Sequence, residues 1–448
     1  KQTGGRALQG DGSLIARTRE VLPFNLTGDQ DEAIRTIRAD MSKPAPMLRL
    51  LQGDVGSGKT VVAFMAMLAA IEAGTQAVLM APTEALAHQH AATLGPLADS
   101  LGIGWRLITG KMPAADRKAS EREIESGTAR LILGTHALFT ARLSYSDPGL
   151  IVIDEQHRFG VHQRLALTGK GADADMLVLS ATPIPRSLAM ALYGDMDISS
   201  LTEKPPGKRP VETKAIPMDR LETVITRLAP RIQAGERVFW VCPAVVSSDS
   251  HDLMSVTQRA EALEARFPGQ VAAAHGQMHT DARTAAMESF VKGRQPILVA
   301  TTVIEVGIDI PEATIMIIEH ADNFGLAQLH QLRGRTGRGD KPGACVLLYD
   351  PPLTETARKR LSILRETDDG FKIAEMDLAL RGPGDPTGPR QSGLPDFRLA
   401  DIGRHAALVA IAQSDARAVL TTENARGQAL DVLAYLFDQS APTGAIAG

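Results

Sequence analysis

The chain has 448 residues, 44% of them hydrophobic and 22% charged, which excludes wholesale disorder and predicts two to four domains with their own cores. A formal net charge of −4 gives no global signature of nucleic-acid binding, although a local basic groove on an acidic protein can still hold backbone phosphates. No apolar run reaches membrane-spanning length, no signal peptide is evident, and the two cysteines, Cys242 and Cys345, are too few for a disulfide framework or zinc cluster, so a soluble cytosolic protein is expected.

Residues 1–22 are mixed and Gly-rich, with a short helical pattern near Leu14 to Leu22. With Lys1 in place of an initiator Met, they read as a linker or the tail of a preceding domain, and the chain as a fragment. Phe24 follows, then Thr27, which can cap a helix over Asp29 to Ala39 with Gln30 in its first turn. A Gln just upstream of a phosphate loop can hydrogen-bond an adenine edge through its amide; a surface helix residue is an equally open reading.

Met47 to Leu51 reads as a buried strand and Thr60 to Glu72 as an apolar-rich helix closed by Gly74. Between them, Gly53-Asp54-Val55-Gly56-Ser57-Gly58-Lys59-Thr60 fits G-x-x-x-x-G-K-[ST] without a mismatch. Glycines let the backbone N–H groups turn inward onto phosphate oxygens, and the following helix aims its positive dipole end at the same place. Lys59 adds a full positive charge, and the Thr60 hydroxyl can ligate Mg²⁺.

Short apolar runs then alternate with helical stretches such as Thr83 to Ser100 and Ala114 to Ser126. The runs are Ala77 to Met80, Leu131 to Leu133, Leu150 to Ile153 and Leu177 to Leu179, which implies a parallel sheet covered on both faces. Ligands of such sheets sit beyond the carboxyl ends of the strands. Each run here is followed by a small polar turn, beginning in order at Ala81-Pro82-Thr83, Gly134-Thr135, Asp154-Glu155 and Ser180-Ala181-Thr182. Asp154 stands where an acidic residue meets the Mg²⁺ on the β- and γ-phosphates, and Glu155 can polarise the attacking water. His157 is a candidate link between phosphate state and the rest of the molecule, or a satisfied core histidine.

Pro205 to Pro210 holds three prolines and a glycine and predicts a domain boundary. The alternation then restarts, with runs at Val238 to Cys242, Val271 to His275, Ile297 to Ala300, Ile315 to Glu319 and Cys345 to Tyr349, and helices such as Asp219 to Ala234, Val256 to Arg266 and Asp281 to Lys292. This half has no phosphate loop of its own. Its densest polar stretch, Gln328 to Gly339, alternates Arg333, Arg335 and Arg338 with glycines. The reading is either a solvated basic loop or a set of guanidinium groups brought close to a triphosphate in the other half, with Arg335 and Arg338 as fingers. From about Pro351 the pattern turns helical, with Thr354 to Thr367 and Phe371 to Leu380 joined at Asp368-Asp369-Gly370, then a Gly/Pro loop over Gly388 to Leu394 and a helix over Ala400 to Ala412.

These residues in this order resemble the superfamily 2 helicases and translocases, from Phe24 to about Leu399. The match is strongest to the bacterial ATP-dependent branch that remodels branched DNA. It is carried by LLQGDVGSGKT at Leu50 to Thr60, IDEQHRFGVHQR at Ile153 to Arg164, SATPIPRS at Ser180 to Ser187, TTVIEVGIDIP at Thr301 to Pro311, FGLAQLHQLRGRTGRG at Phe324 to Gly339, and DGFKIAEMDLALRGPGD at Asp369 to Asp385. The last belongs to a hairpin and loop, shared with the transcription-repair coupling translocases, that transmit ATP turnover into movement along duplex DNA. Asp154-Glu155-Gln156-His157 favours the junction-remodelling branch.

The resemblance implies an α/β fold of two tandem RecA-like P-loop NTPase domains with parallel sheets, at 23–204 and 205–352, then a helical-hairpin region at 353–448. It implies ATP and Mg²⁺ as cofactors and branched or duplex DNA as partner, such as stalled forks, Holliday junctions and R-loops. A single-stranded DNA-binding protein is a further implied partner, for a monomer in the bacterial cytoplasm near the nucleoid and away from membranes. Phe24 and Gln30 would hold adenine, with Gly307 and Asp309 also facing the nucleotide. Asp154 and Thr60 would hold the metal, and Lys59, Glu155, Arg335 and Arg338 would be catalytic. Thr83, Gly110, Thr135, His275 and Thr301 would lie near the DNA backbone. His157, Ser180, Thr182, Arg381 and Gln391 would couple the two. Members of this branch carry an N-terminal wedge domain that splits the fork, and no segment here matches it, so the resemblance implies ATP hydrolysis and weak tracking on DNA for this fragment and leaves its junction specificity open. The alternatives are a coupling translocase, an RNA helicase, or a scaffold with a vestigial motor.

Overall fold

The computed structural model describes residues 5–140, 143–154, 174–185, 196–205, 210–243, 249–301, 310, 312–337 and 341–380, with a few helical positions from 408 to 418. Most of the Pro205 to Pro210 stretch, the Gly388 to Leu394 loop and most of the Ala400 to Ala412 helix lie outside them.

The described strands form two sheets in which every pair is parallel. The first contains β1 (Leu48–Gly53), β2 (Gln76–Met80), β3 (Trp105–Ile108), β4 (Leu131–Gly134), β5 (Pro148–Ile153), β6 (Asp175–Ser180) and β7 (Asp197–Leu201), in the order β3-β4-β2-β5-β6-β1-β7. The second contains β8 (Glu212–Pro217), β9 (Arg237–Val241), β10 (Val271–Ala274), β11 (Ile297–Ala300), β12 (Ala313–Ile318) and β13 (Ala344–Tyr349), in the order β10-β11-β9-β12-β13-β8.

All the anticipated apolar runs are strands; β3, β7 and β8 are additional, and each is a sheet edge. A central parallel strand is buried on both faces and reads as a continuous apolar run. The edge strand Asp-Ile-Ser-Ser-Leu of β7 buries only Leu201, and Glu-Thr-Lys-Ala-Ile-Pro of β8 buries no residue fully, so neither carries that signal.

The helix Lys59–Glu72 is apolar on all sides because it is packed on all sides. Phe64, Met65, Met67 and Leu68 are fully buried against Ile37 and Met41 of the helix Gly28–Met41 and against strand residues such as Leu51 and Leu79. Each such side chain contributes about 1.5–3 kcal/mol, which anchors the helix directly behind the phosphate loop. In the second sheet, buried Trp240 donates from Nε1 to Glu319 Oε1 at 2.5 Å, and Arg259 both pairs with Glu319 and lies 5.7 Å from the indole ring. This ties the helix Asp249–Arg266 to the sheet. Cys242 and Cys345 are free and buried. Beyond β13, the helices Glu355–Glu366 and Gly370–Leu380 form a hairpin whose Leu361, Leu364 and Ile373 join the second core.

Asp175, at the start of β6, is buried and accepts a hydrogen bond from Met47 N at 2.6 Å through Oδ1, while Oδ2 has no partner among the described residues. Burial, with Asp40 nearby, pushes its pKa up to about 6. The folded state therefore disfavours the carboxylate, a cost absent below the unfolded value, growing as pH rises, and complete above about 6. Asp175→Asn keeps the acceptor for Met47. It is expected to raise stability near pH 7 by about 1 kcal/mol and to give no gain at pH 4, read by thermal unfolding at the two pH values.

A candidate nucleotide cleft between the two sheets

Leaving β1, the backbone turns through Gly56 and Gly58 at φ 74° and 80°, and Gly58 caps the helix Lys59–Glu72. The first-turn amides of that helix have no intrahelical acceptor, so they supply donors to the concave side of the loop. Lys59 Nζ folds back over the turn, donating to Gly53 O at 2.7 Å and Asp54 O at 2.8 Å. The ammonium is thus held at the mouth of the loop.

Gln30 is buried rather than on the surface. It completes a capping box with Thr27, accepting from Thr27 N at 2.9 Å, and its Nε2 donates to Ser57 O at 2.9 Å. The amide therefore straps the helix Gly28–Met41 onto the phosphate loop, and a side chain at Gly58 would collide with it, a Cβ there lying 2.2 Å from Gln30 Nε2. Phe24, half exposed, stands just before this cap.

Because the first sheet is parallel, the residues after its strands share one edge. Asp154 follows β5 and is buried, and its backbone N donates to Met80 O at 2.9 Å. Its Oδ2 lies 2.8 Å from Nε2 of His90, a buried residue of the helix Glu84–Leu101. Sequence reasoning did not single out His90; its position on the helix that follows the Thr83 turn is the signal that was there. Thr83 caps that helix, accepting from Leu86 N at 3.4 Å, and Glu84 accepts from Lys111 N at 3.2 Å, bringing exposed Gly110 beside the same turn.

Thr135 after β4 and Thr301 after β11 are buried, and among the described residues their hydroxyls have no hydrogen-bond partner, nor does buried Nδ1 of His275 after β10. Three of the expected backbone-contacting residues thus carry unused polar atoms. Ser180 instead donates to Thr182 O at 2.9 Å, with the two hydroxyls 3.2 Å apart.

The Arg-Gly stretch of the second half reaches the phosphate loop. A Cβ on Gly334 would lie 2.9 Å from Val55 Cβ, so only glycine permits this approach, and partly buried Arg335 is the next residue. One turn earlier, His330 Nε2 lies 2.7 Å from Asp54 Oδ1. Buried Arg333 donates to His330 Nδ1 at 2.8 Å, to Leu364 O at 2.7 Å and to Thr367 O at 2.9 Å. Its surroundings lower the guanidinium pKa, chiefly through burial. Lys204 and Asp368 pair at 2.5 Å. A cleft of about 290 Å³ remains between Asp54 to Ser57, Leu201 to Pro205 and Asp369 to Phe371. Sequence reasoning missed His330 and the cross-half role of Arg333. Glu155, His157, Gly307, Asp309, Arg338, Arg381 and Gln391 lie outside the described residues.

Three family models match in succession: DEAD/DEAH box helicase over 27–191, helicase conserved C-terminal domain over 219–340, and ATP-dependent DNA helicase RecG, domain 3, C-terminal, over 367–435. The chain is 45% identical to ATP-dependent DNA helicase RecG of Acidithiobacillus ferridurans over 424 residues, 94% of this chain and 62% of that protein. It is 41% identical to RecG of Bacillus subtilis (strain 168) over 425 residues, again 94% and 62%. A solved structure of RecG bound to a three-way DNA junction superposes with TM-score 0.76 at 41% identity, covering 91% of this chain and 53% of that one. By sequence and by fold this chain is similar to RecG over about nine tenths of its length. It spans about three fifths of the length of these RecG relatives. The two parallel sheets are the paired RecA-like helicase domains of the RecG pattern. Among the described residues, no helix is long and apolar enough to cross a membrane, and no group of three or more His, Cys, Asp or Glu is arranged to hold a metal ion alone.

Proposed function

We propose that this chain is the motor of an ATP-dependent helicase that moves on duplex DNA at branched structures. The observation that carries the reading is Gly334 seated on Val55, which brings Arg335 beside a phosphate loop of the other sheet. The reading divides the chain at 23–204 and 205–352, with the hairpin region at 353–448. The intact protein would work as a soluble monomer near the bacterial nucleoid, in repair and recombination, and a single-stranded DNA-binding protein is a further partner on this reading.

The residues fit a nucleotide with Mg²⁺. Donors and positive charge converge at Gly53 to Thr60, and one buried carboxylate, Asp154, is held by His90. That is the donor set expected of Mg²⁺, which takes one or two protein ligands and shares the phosphates. Thr60 and Asp154 would hold the ion, which neutralises charge on the β- and γ-phosphates when bound. Lys59 would exchange its two carbonyl acceptors for phosphate oxygens. Gln30 keeps one amide hydrogen and one lone pair for an adenine edge, with Phe24 as the ring beside it. Glu155 would orient the attacking water, and Arg335 and Arg338 would stabilise charge on the transferred phosphoryl group. Gly307 and Asp309 belong to the nucleotide wall of the second half. The unpartnered hydroxyls of Thr135 and Thr301, with His275, Thr83 and Gly110, would meet DNA phosphates, so sequence preference should be small and salt sensitivity large. His157, Ser180, Thr182, Arg381 and Gln391 would link the two sites.

ATPase activity measured with forked DNA, linear duplex, single-stranded DNA and duplex RNA tests the reading. Stimulation of about tenfold or more by forked or duplex DNA over RNA is expected. Equal stimulation by RNA, or turnover indifferent to any nucleic acid, would overturn it.

A further inference from the structure

The helical hairpin after β13 is connected to the phosphate loop by a chain of hydrogen bonds whose direction the chemistry dictates. Arg333 can only donate, so the His330 Nδ1 that it meets at 2.8 Å must be the unprotonated nitrogen. The proton of His330 then resides on Nε2, which donates to Asp54 Oδ1 at 2.7 Å. On its other side the same guanidinium donates to the carbonyls of Leu364 and Thr367, which end the first hairpin helix. The series runs from a loop carboxylate through a neutral imidazole and a buried guanidinium to the C-terminal end of a helix.

The turn of the hairpin is seated on the same spot. A Cβ on Gly370 would lie 2.8 Å from His330 Nε2, 2.8 Å from Pro183 Cγ and 2.9 Å from Asp54 Cγ. Lys204, which follows β7 on the first sheet, pairs with Asp368 in the turn. Asp369 to Phe371 also wall the cleft of about 290 Å³ whose opposite side is Asp54 to Ser57. A shift of the loop at Asp54 therefore meets the hairpin directly at Gly370, at the edge of that cleft.

We infer that His330 and Arg333 are positioning residues that carry the state of the phosphate loop directly to the hairpin, a route separate from the arginine fingers. The inference rests on the nucleotide reading of the loop. It does not rest on DNA as the partner.

The test is hydrogen–deuterium exchange of the amides of 355–380 in the full chain, with and without a non-hydrolysable ATP analogue. Binding of the analogue should change exchange there by about threefold or more. His330→Leu removes both polar ends of the imidazole and should abolish that change while analogue affinity, followed by fluorescence, stays within about threefold. His330→Gln offers an amide N–H toward Asp54 and a carbonyl toward Arg333, and should restore the response. Arg333→Lys keeps the charge without the three-way fork and should lose it, so the outcome does not depend on one variant folding. A full exchange response in His330→Leu, with the fold verified by thermal unfolding, would overturn the relay. Failure of the analogue to bind the unsubstituted chain would instead sink the nucleotide reading, and failure of DNA to stimulate turnover would touch neither.

Discussion

Lys59→Ala is expected to abolish ATP hydrolysis, with turnover falling by on the order of a thousandfold or more. Its ammonium is buried at the mouth of the loop on the carbonyls of Gly53 and Asp54, so no other cation of the loop can take its place when those contacts are exchanged for phosphate. The helix behind it is anchored by Phe64, Met65 and Met67 rather than by Lys59, so the fold should survive. Phosphate release at saturating ATP, with thermal unfolding as the control for folding, decides it; near-native turnover would remove the loop from the chemistry. Glu155→Gln should have the same effect on turnover.

Arg335→Ala should leave ATP binding within a few-fold of the parent while slowing hydrolysis by roughly a thousandfold, because a finger acts on charge that develops in the transition state. Arg338→Ala should behave alike. Gly334 against Val55 brings position 335 to the loop independently of its own side chain, so truncation there should not separate the two halves. Nucleotide affinity by fluorescence and turnover by phosphate release separate the two quantities. Parallel losses in both would make the arginine a structural residue.

The central strands and most helices of both sheets were legible because their chemistry is local. Val-Leu-Met or Ile-Met-Ile-Ile can only be a buried strand when bounded by turns, and Thr27 with Gln30 states a helix start. The edge strands β3, β7 and β8 were not legible, since an edge needs no unbroken apolar run. The phosphate loop and Asp154 could be read from spacing. What holds them could not: His90 lies 64 residues from Asp154, and His330 lies 276 from Asp54. Such partners are set by how two sheets face each other, and a linear pattern carries no term for that. Gln30 lay between, because its burial against Ser57 is a tertiary fact although its cap is a local one.

The position of β1 between β6 and β7 bears on how the protein comes to exist. The strand that delivers the phosphate loop pairs with no strand made near it. Met47 N meets Asp175 across 128 residues and Gln52 meets Ser200 across 148. At roughly 5–20 residues per second, a ribosome needs on the order of ten seconds to supply those partners. During that interval an apolar strand and the largely apolar helix behind it wait without a sheet to close on. The nucleotide loop is thus among the last parts of the first sheet to take shape, and the nascent chain is most in need of shelter from aggregation before Leu201 has emerged.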